Sequence, residues 1–225
     1  MFNEYAIKAR FFPTILSAIP VLLFQYSFLS KELSDFLAFL GKMEIAGNIT
    51  ISIVILYFTS QLNRFISKVF FEKEEIYMPT TDFLLFQNPE YSEEYKKNIY
   101  EKLEKDFNIK LPGKSLQEKD ILNSRKRIAE VMSLARKRIK DGYLLLGHNI
   151  EYGFWRNLSG GSIIAIIFSA ITTYLSFYQD KASIFIASLI LLGVFLMILL
   201  FSRFFIDRIG KIYARVLIQE YMESR

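Results

Sequence analysis

Residues 157–202 read NLSGGSIIAIIFSAITTYLSFYQDKASIFIASLILLGVFLMILLFS, two runs of 23 and 21 residues without Asp, Glu, Lys or Arg, parted only by Asp180 and Lys181. A helix needs roughly 20 apolar residues to cross about 30 Å of hydrocarbon at about 1.5 Å rise per residue. Two such runs on either side of a two-residue turn predict a membrane hairpin rather than buried helices of a soluble fold. Upstream, 11–30 and 45–63 are also charge-free, with 20 and 19 residues. All 28 Lys and Arg and all 23 Asp and Glu of the 225-residue chain therefore lie outside these four runs.

This pattern predicts an all-α integral membrane protein with four transmembrane helices and a helical cytoplasmic domain. The expected divisions are a first transmembrane hairpin at 1–63 (spans about 11–30 and 45–63), the cytoplasmic domain at 64–156, a second hairpin at 157–202 (spans about 157–179 and 182–202), and a C-terminal amphipathic cytoplasmic helix at 203–225. Lys8 and Arg10 precede the first run as in a secretory signal, but that run exceeds a signal core of roughly 7–15 residues and no small-x-small site follows Leu29. It is expected to be retained. Of the Lys and Arg residues, only Lys31, Lys42 and Lys181 lie on the connections 31–44 and 180–181, whereas Lys8, Arg10, Arg64, Lys68, Lys73, Arg138, Lys140, Arg156, Arg203, Arg208, Lys211 and Arg215 lie close to the opposite membrane ends. The positive-inside bias places both termini and 64–156 in the cytoplasm of a bacterial inner membrane.

Within 64–156 the apolar spacing is helical. The second span is expected to continue to Tyr77, where Pro79 stops it, and Thr80, Thr81 and Asp82 offer cap oxygens to a short apolar turn at 83–86. Ser92 caps a helix whose stripe is Tyr95, Ile99, Leu103 and Phe107, and Leu111-Pro-Gly113 ends it. Ser115 and Glu118 suggest a capping box for a long helix reaching about Leu146, with Ile121, Ile128, Met132, Ala135 and Ile139 on one face. In the tail, Phe205, Ile209, Ile212, Val216 and Leu217 oppose Arg208, Lys211 and Arg215, a face that suits either a membrane surface or the soluble helices.

Catalytic candidates are few. The chain has no Cys and one His, which excludes disulfides and Cys-ligated metals and leaves no metal or cofactor site expected. His148, beside Glu151, reads as a hydrogen-bonded structural residue or a pH-sensitive contact rather than a catalyst, and no enzyme is expected. Gly113-Lys-Ser115 matches the end of a phosphate-binding loop, but Asn108 stands at the earlier glycine and no strand precedes it.

The strongest binding signal is Arg125, Lys126, Arg127, Arg136, Lys137, Arg138 and Lys140. Two Arg-Lys-Arg triplets eleven residues apart are almost three helical turns apart and share a face, which attracts phosphates through charge and bidentate Arg contacts. A basic helix resting on anionic headgroups, or paired with the acidic 90–106 segment, is the alternative. In the spans, Gly161, Ala165, Ser169 and Thr173 recur every four residues as an assembly face, and Asn48, Ser52 and Thr59 form a stripe suited to a narrow polar path around an axis.

Three stretches resemble a known family: Tyr5-Ala-Ile-Lys-Ala-Arg10 followed by Pro13 and Pro20, Met78-Pro-Thr-Thr81 followed by Leu84, and Asn149-Ile-Glu-Tyr-Gly-Phe-Trp-Arg-Asn-Leu158. Their order is similar to that in small bacterial four-span membrane proteins of anti-phage defence loci, which include the Hailong membrane effectors. Trp155 stands where a second basic residue is expected, and Ser159-Gly-Gly161 also departs from the pattern. The resemblance implies a homo-oligomeric channel, a tetramer being one candidate. Its control would come from a nucleotide or single-stranded DNA oligomer made by a partner nucleotidyltransferase. Beside the basic cluster, His148 and Arg156 are further candidate ligand contacts. A membrane-anchored adaptor that docks an acidic protein or anionic lipid, without a pore, is the competing expectation.

Overall fold

The computed structural model describes residues 4–30, 44–139 and 142–224, the side chains of 44–51 and 143 excepted. Among these residues the chain is helical and contains no strand. The helices are α1 (Glu4–Leu29), α2 (Glu44–Phe71), α3 (Pro79–Asp82), α4 (Glu93–Phe107), α5 (Lys114–Lys119), α6 (Ile121–Arg138), α7 (Tyr143–Tyr178) and α8 (Ala182–Glu223). Among the described residues three stretches are long and apolar enough to cross a membrane: Glu4–Leu29, Leu144–Tyr178 and Ala182–Glu223. The expected second span falls in α2, where Asn48 lies outside the described side chains.

Two compact units make up the fold. Unit 1 comprises Met1–Glu72 and Gly153–Ile206, and unit 2 comprises Lys73–Tyr152 and Asp207–Arg225. Both α7 and α8 are continuous helices whose residues divide between the units, so 203–225 is an extension of the last apolar helix rather than a separate one.

In unit 1 the departures from regular helix trace to named residues. Pro13 lacks the N–H that would bond the carbonyl four residues earlier, that of Ala9, and Asn157 Nδ2 donates to this oxygen at 2.6 Å. The turn Ile7–Phe11 just before it is π-helical. At the α7–α8 turn Asp180 is left-handed (φ 52°), Lys181 N bonds Ser176 O at 3.0 Å and Asp180 N bonds Phe177 O at 3.4 Å, the pattern of a Schellman stop. Lys181 Nζ then donates to Ser27 O at 3.0 Å and lies 4.5 Å from the Phe28 ring, placing a cation against the end of α1.

Helix α7 meets α1 and α2 through glycine. A Cβ on Gly160 would stand 2.7 Å from Ser67 N and 2.8 Å from Asn63 O, and one on Gly161 would stand 2.6 Å from Ser17 Oγ. Asn63 Nδ2 donates to Ser17 Oγ at 2.5 Å in this contact, with both residues buried. Trp155 stacks on Phe205 at 4.3 Å, joining α7 to α8 where a basic residue was expected.

Unit 2 has an apolar core of Leu84, Leu85, Ile99, Leu103, Ile128, Met132, Ala135, Leu217, Ile218 and Tyr221. Ser92 caps α4 as expected, its Oγ accepting from Tyr95 N at 3.2 Å, and α4 stops at Asn108, which adopts φ 53°. Several expected boundaries move. The second-span helix ends at Phe71 rather than Tyr77, a 3-10 turn spans Glu75–Tyr77, and Pro79 opens α3 instead of only stopping a helix. Gly113 precedes α5, so Ser115 and Glu118 do not cap the long helix. Asp120 does, accepting from Asn123 N at 3.1 Å, and α6 ends at Arg138 instead of running to Leu146. Helix α7 starts separately, with Glu220 Oε1 accepting from Leu145 N at 3.2 Å. The C-terminal part of α8 packs in this core through Leu217, Ile218 and Tyr221, which selects the soluble-helix alternative for the tail.

Candidate functional site

Helix α6 carries both basic triplets, and eleven residues at about 100° each bring every pair of equivalent positions to nearly the same side. The result is three stripes with different surroundings. Arg125 and Arg136 face the segment before α4: Arg125 Nη2 pairs with Asp82 Oδ1 at 2.7 Å, Arg125 Nη1 donates to Ile76 O at 3.1 Å, and Arg136 Nη1 reaches Glu75 Oε1 at 3.4 Å. Arg127 and Arg138 face the end of α4: Arg127 Nε donates to Lys110 O at 3.2 Å and Arg138 Nη1 pairs with Asp106 Oδ2 at 3.0 Å. Lys126 and Lys137 are exposed. Lys140 lies outside the described residues.

Three of the four arginines thus pair with carboxylates, Arg127 bonds a backbone carbonyl, and Lys126 and Lys137 face solvent. Asp106 is the clearest partner: the Tyr221 hydroxyl donates to it at 2.7 Å, and this bond, followed by the Arg138 charge, holds its carboxyl below the usual range. A further ion pair, Arg215 with Glu90 at 2.5 Å, ties the C-terminal part of α8 to the loop before α4 and raises the guanidinium further. Tyr91 beside it is pushed up to about 12, first by burial and then by the neighbouring Tyr95 and Glu90.

Arg156 is in unit 1, paired with Glu72 Oε1 at 2.6 Å, and is not among the triplet arginines of unit 2. His148 is half-buried with Nδ1 at 3.7 Å from Glu151 Oε2, beyond hydrogen-bond distance. No group of three or more metal-ligating side chains occurs among the described residues.

The small-residue face of α7 is occupied within the chain. Gly161 lies against Ser17 and Asn63, Ala165 and Ser169 are fully buried, and Thr173 Oγ1 donates to Ser188 Oγ of α8 at 2.9 Å. Thr59 is buried, and with Val54, Ile55 and Phe58 it lines an apolar cavity of about 360 Å³ shared by α1, α2 and α7, while Ser52 is half-buried.

Sequence reasoning missed a buried polar network in unit 2. Lys96 is fully buried and donates to Leu85 O at 2.7 Å and to Asn88 O, with burial pushing its ammonium pKa down. Gln117 Nε2 donates to Tyr100 Oη at 2.8 Å and to Pro112 O at 2.9 Å, its Oε1 accepts from Phe86 N at 2.8 Å, and Tyr100 Oη donates to Leu84 O at 2.9 Å. These bonds fix the irregular 84–88 and 110–113 segments. The one available signal was position: Lys96 precedes Tyr100 and Leu103 by four and seven residues, on the face that α4 buries. No family model, curated protein or solved structure matches this chain.

Proposed function

We propose that this chain is a bacterial membrane effector that assembles with copies of itself into an ion channel or membrane-disrupting pore. An anionic, nucleotide-type ligand on the helices of unit 2 controls it. In this reading the four charge-free runs span the inner membrane, unit 2 and both termini are cytoplasmic, and the protein acts in anti-phage defence, as the resemblance of its three signature stretches implies. The observation that carries the reading is the outward face of α8: Leu200 is 73% exposed, Ile190 61% and Phe204 59%. Apolar surface on this scale calls for lipid or another copy of the chain. Because α7 and α8 continue unbroken into unit 2, a rearrangement there acts on the extensions of two membrane helices.

A second reading, a membrane-anchored adaptor without a pore, draws support from the filled small-residue face of α7 and from the carboxylate partners of Arg125, Arg136 and Arg138. Ion flux from liposomes containing only the purified chain, with and without a single-stranded DNA oligomer, separates the two. Channel control predicts flux that changes with the oligomer and a Lys126→Glu/Lys137→Glu variant that inserts normally but no longer responds. Absence of flux in every condition rejects the pore.

A further inference from the structure

We propose that a groove of unit 2, between the turn 110–116 and the start of α6, binds a phosphate monoester that carries a flat apolar group. The groove has a volume of about 420 Å³, within the size range of small-molecule sites. One wall is apolar, made by Leu111, Pro112 and Leu116, and Leu116 is 53% exposed although the surrounding surface is charged. Lys110 and Arg127 supply two cations.

Arg127 differs from the other arginines of α6. Arg125, Arg136 and Arg138 direct terminal nitrogens at carboxylates, whereas Arg127 is held through Nε on the Lys110 carbonyl. Both its terminal nitrogens remain for an anion, the geometry that grips a phosphate in two places. Ser124 provides the second, independent observation. It is 2% exposed, it lines the groove, and its Oγ has no hydrogen-bond partner. A buried hydroxyl left this way is destabilising, and a phosphate oxygen at the groove floor would accept its hydrogen bond. Asp120 also lines the groove, but its two oxygens already accept from Asn123 N at 3.1 Å and Asn123 Nδ2 at 2.5 Å. These bonds keep its carboxyl ionised, so its charge favours a ligand whose phosphate sits on the Lys110–Arg127 side and whose flat group covers Leu111 and Leu116.

The site deepens the proposed anion sensing and takes its biological meaning from that reading, although binding can be measured without it. The test is calorimetric titration of the full chain in phosphatidylcholine nanodiscs with phenyl phosphate, inorganic phosphate and phenol. Phenyl phosphate is expected to bind at least about tenfold more tightly than either fragment, since ring and phosphate each add binding energy. Arg127→Ala and Ser124→Ala should each weaken it about tenfold, Arg127→Lys should restore part of the loss, Leu116→Ser should reduce phenyl phosphate to the affinity of inorganic phosphate, and Lys97→Ala, exposed on α4 outside the groove, should change nothing. Equal affinity for the three probes, or unchanged binding in Arg127→Ala and Ser124→Ala, overturns the site. Displacement of phenyl phosphate by vesicles containing phosphatidic acid, whose headgroup is a phosphate monoester, supports a lipid headgroup as the natural phosphate source, and its absence supports a free ester. Binding that follows these variants in a chain without liposome flux keeps the groove and rejects the channel. Flux that responds to the DNA oligomer in Arg127→Ala and Ser124→Ala chains whose phenyl phosphate binding is unchanged does the reverse.

Discussion

In unit 1 the buried positions include Ser17, Asn63, Ser67, Ser162 and Ser169, while Phe58, Phe177, Ile190 and Leu200 are exposed. In unit 2 Leu84, Ile99, Leu103 and Ile128 are buried, while Lys97, Lys105 and Lys126 face outward. The inversion follows from the solvent each surface suits. Among lipid tails, burying Leu gains little, so helices associate through small residues that let backbones approach and through hydroxyl or amide bonds across the contact. In water, removing apolar surface is the main driving force, roughly 25 cal/mol per Å². The same change of residue should therefore act differently in the two units.

The largest expected effect is Lys96→Met in unit 2. It keeps the apolar stem but leaves Leu85 O and Asn88 O unpaired, at roughly 1–3 kcal/mol for each buried group. Urea unfolding of the full chain in detergent, followed by hydrogen exchange in 84–103, should show the loss in unit 2. Next, Gly160→Ala should destabilise unit 1 by about 1–3 kcal/mol, because the new methyl meets backbone atoms of Asn63 and Ser67 that have little room to move. Trp155, the only tryptophan and a member of unit 1, reports that transition by fluorescence.

Acid should act on unit 2 through Asp106. Its carboxyl is held below the ordinary value of about 3.9, so its contribution is fully present above that value and is lost as pH falls through the lower folded value. The thermal midpoint of unit 2 should therefore fall below about pH 4, and Asp106→Asn should flatten that dependence. Smallest of all is Ser169→Ala in unit 1. The Ser169 hydroxyl is buried without a partner, so its removal should not destabilise unit 1 and should raise the Trp155 transition by at most about 1 kcal/mol. A large loss there would mean that hydroxyls hold the α7 contact, rather than close backbone approach.

Long-range charge patterning made the apolar helices legible, since the absence of charge over some 20 residues is a requirement of the bilayer rather than a statistical preference. Local pattern also found Ser92 as a cap and Ile99 and Leu103 as core. It failed where side chains compete for one role. Ser115 and Asp120 both suit a helix start, and Asp120 takes it because Asn123 closes on both carboxylate oxygens. Half of the candidate site was legible in the same sense. The eleven-residue repeat correctly put equivalent positions on common stripes, but spacing carries no information on which carboxylates return from distant sequence to meet them. Glu75, Asp82 and Asp106 do so. The small-residue face of α7 has the same ambiguity, since a contact within a chain and one between copies ask for the same residues.

The central claim, that the apolar helices thread the membrane and leave unit 2 in the cytoplasm, is open to a direct measurement because the chain has no cysteine. Gln179→Cys, beside the α7–α8 turn, and Lys126→Cys, on exposed α6, would be treated separately with a membrane-impermeant maleimide in intact spheroplasts and after lysis. The account predicts that the Gln179→Cys chain is labelled in intact spheroplasts and the Lys126→Cys chain only after lysis. Labelling of the Lys126→Cys chain in intact spheroplasts, with the Gln179→Cys chain protected until lysis, would contradict it.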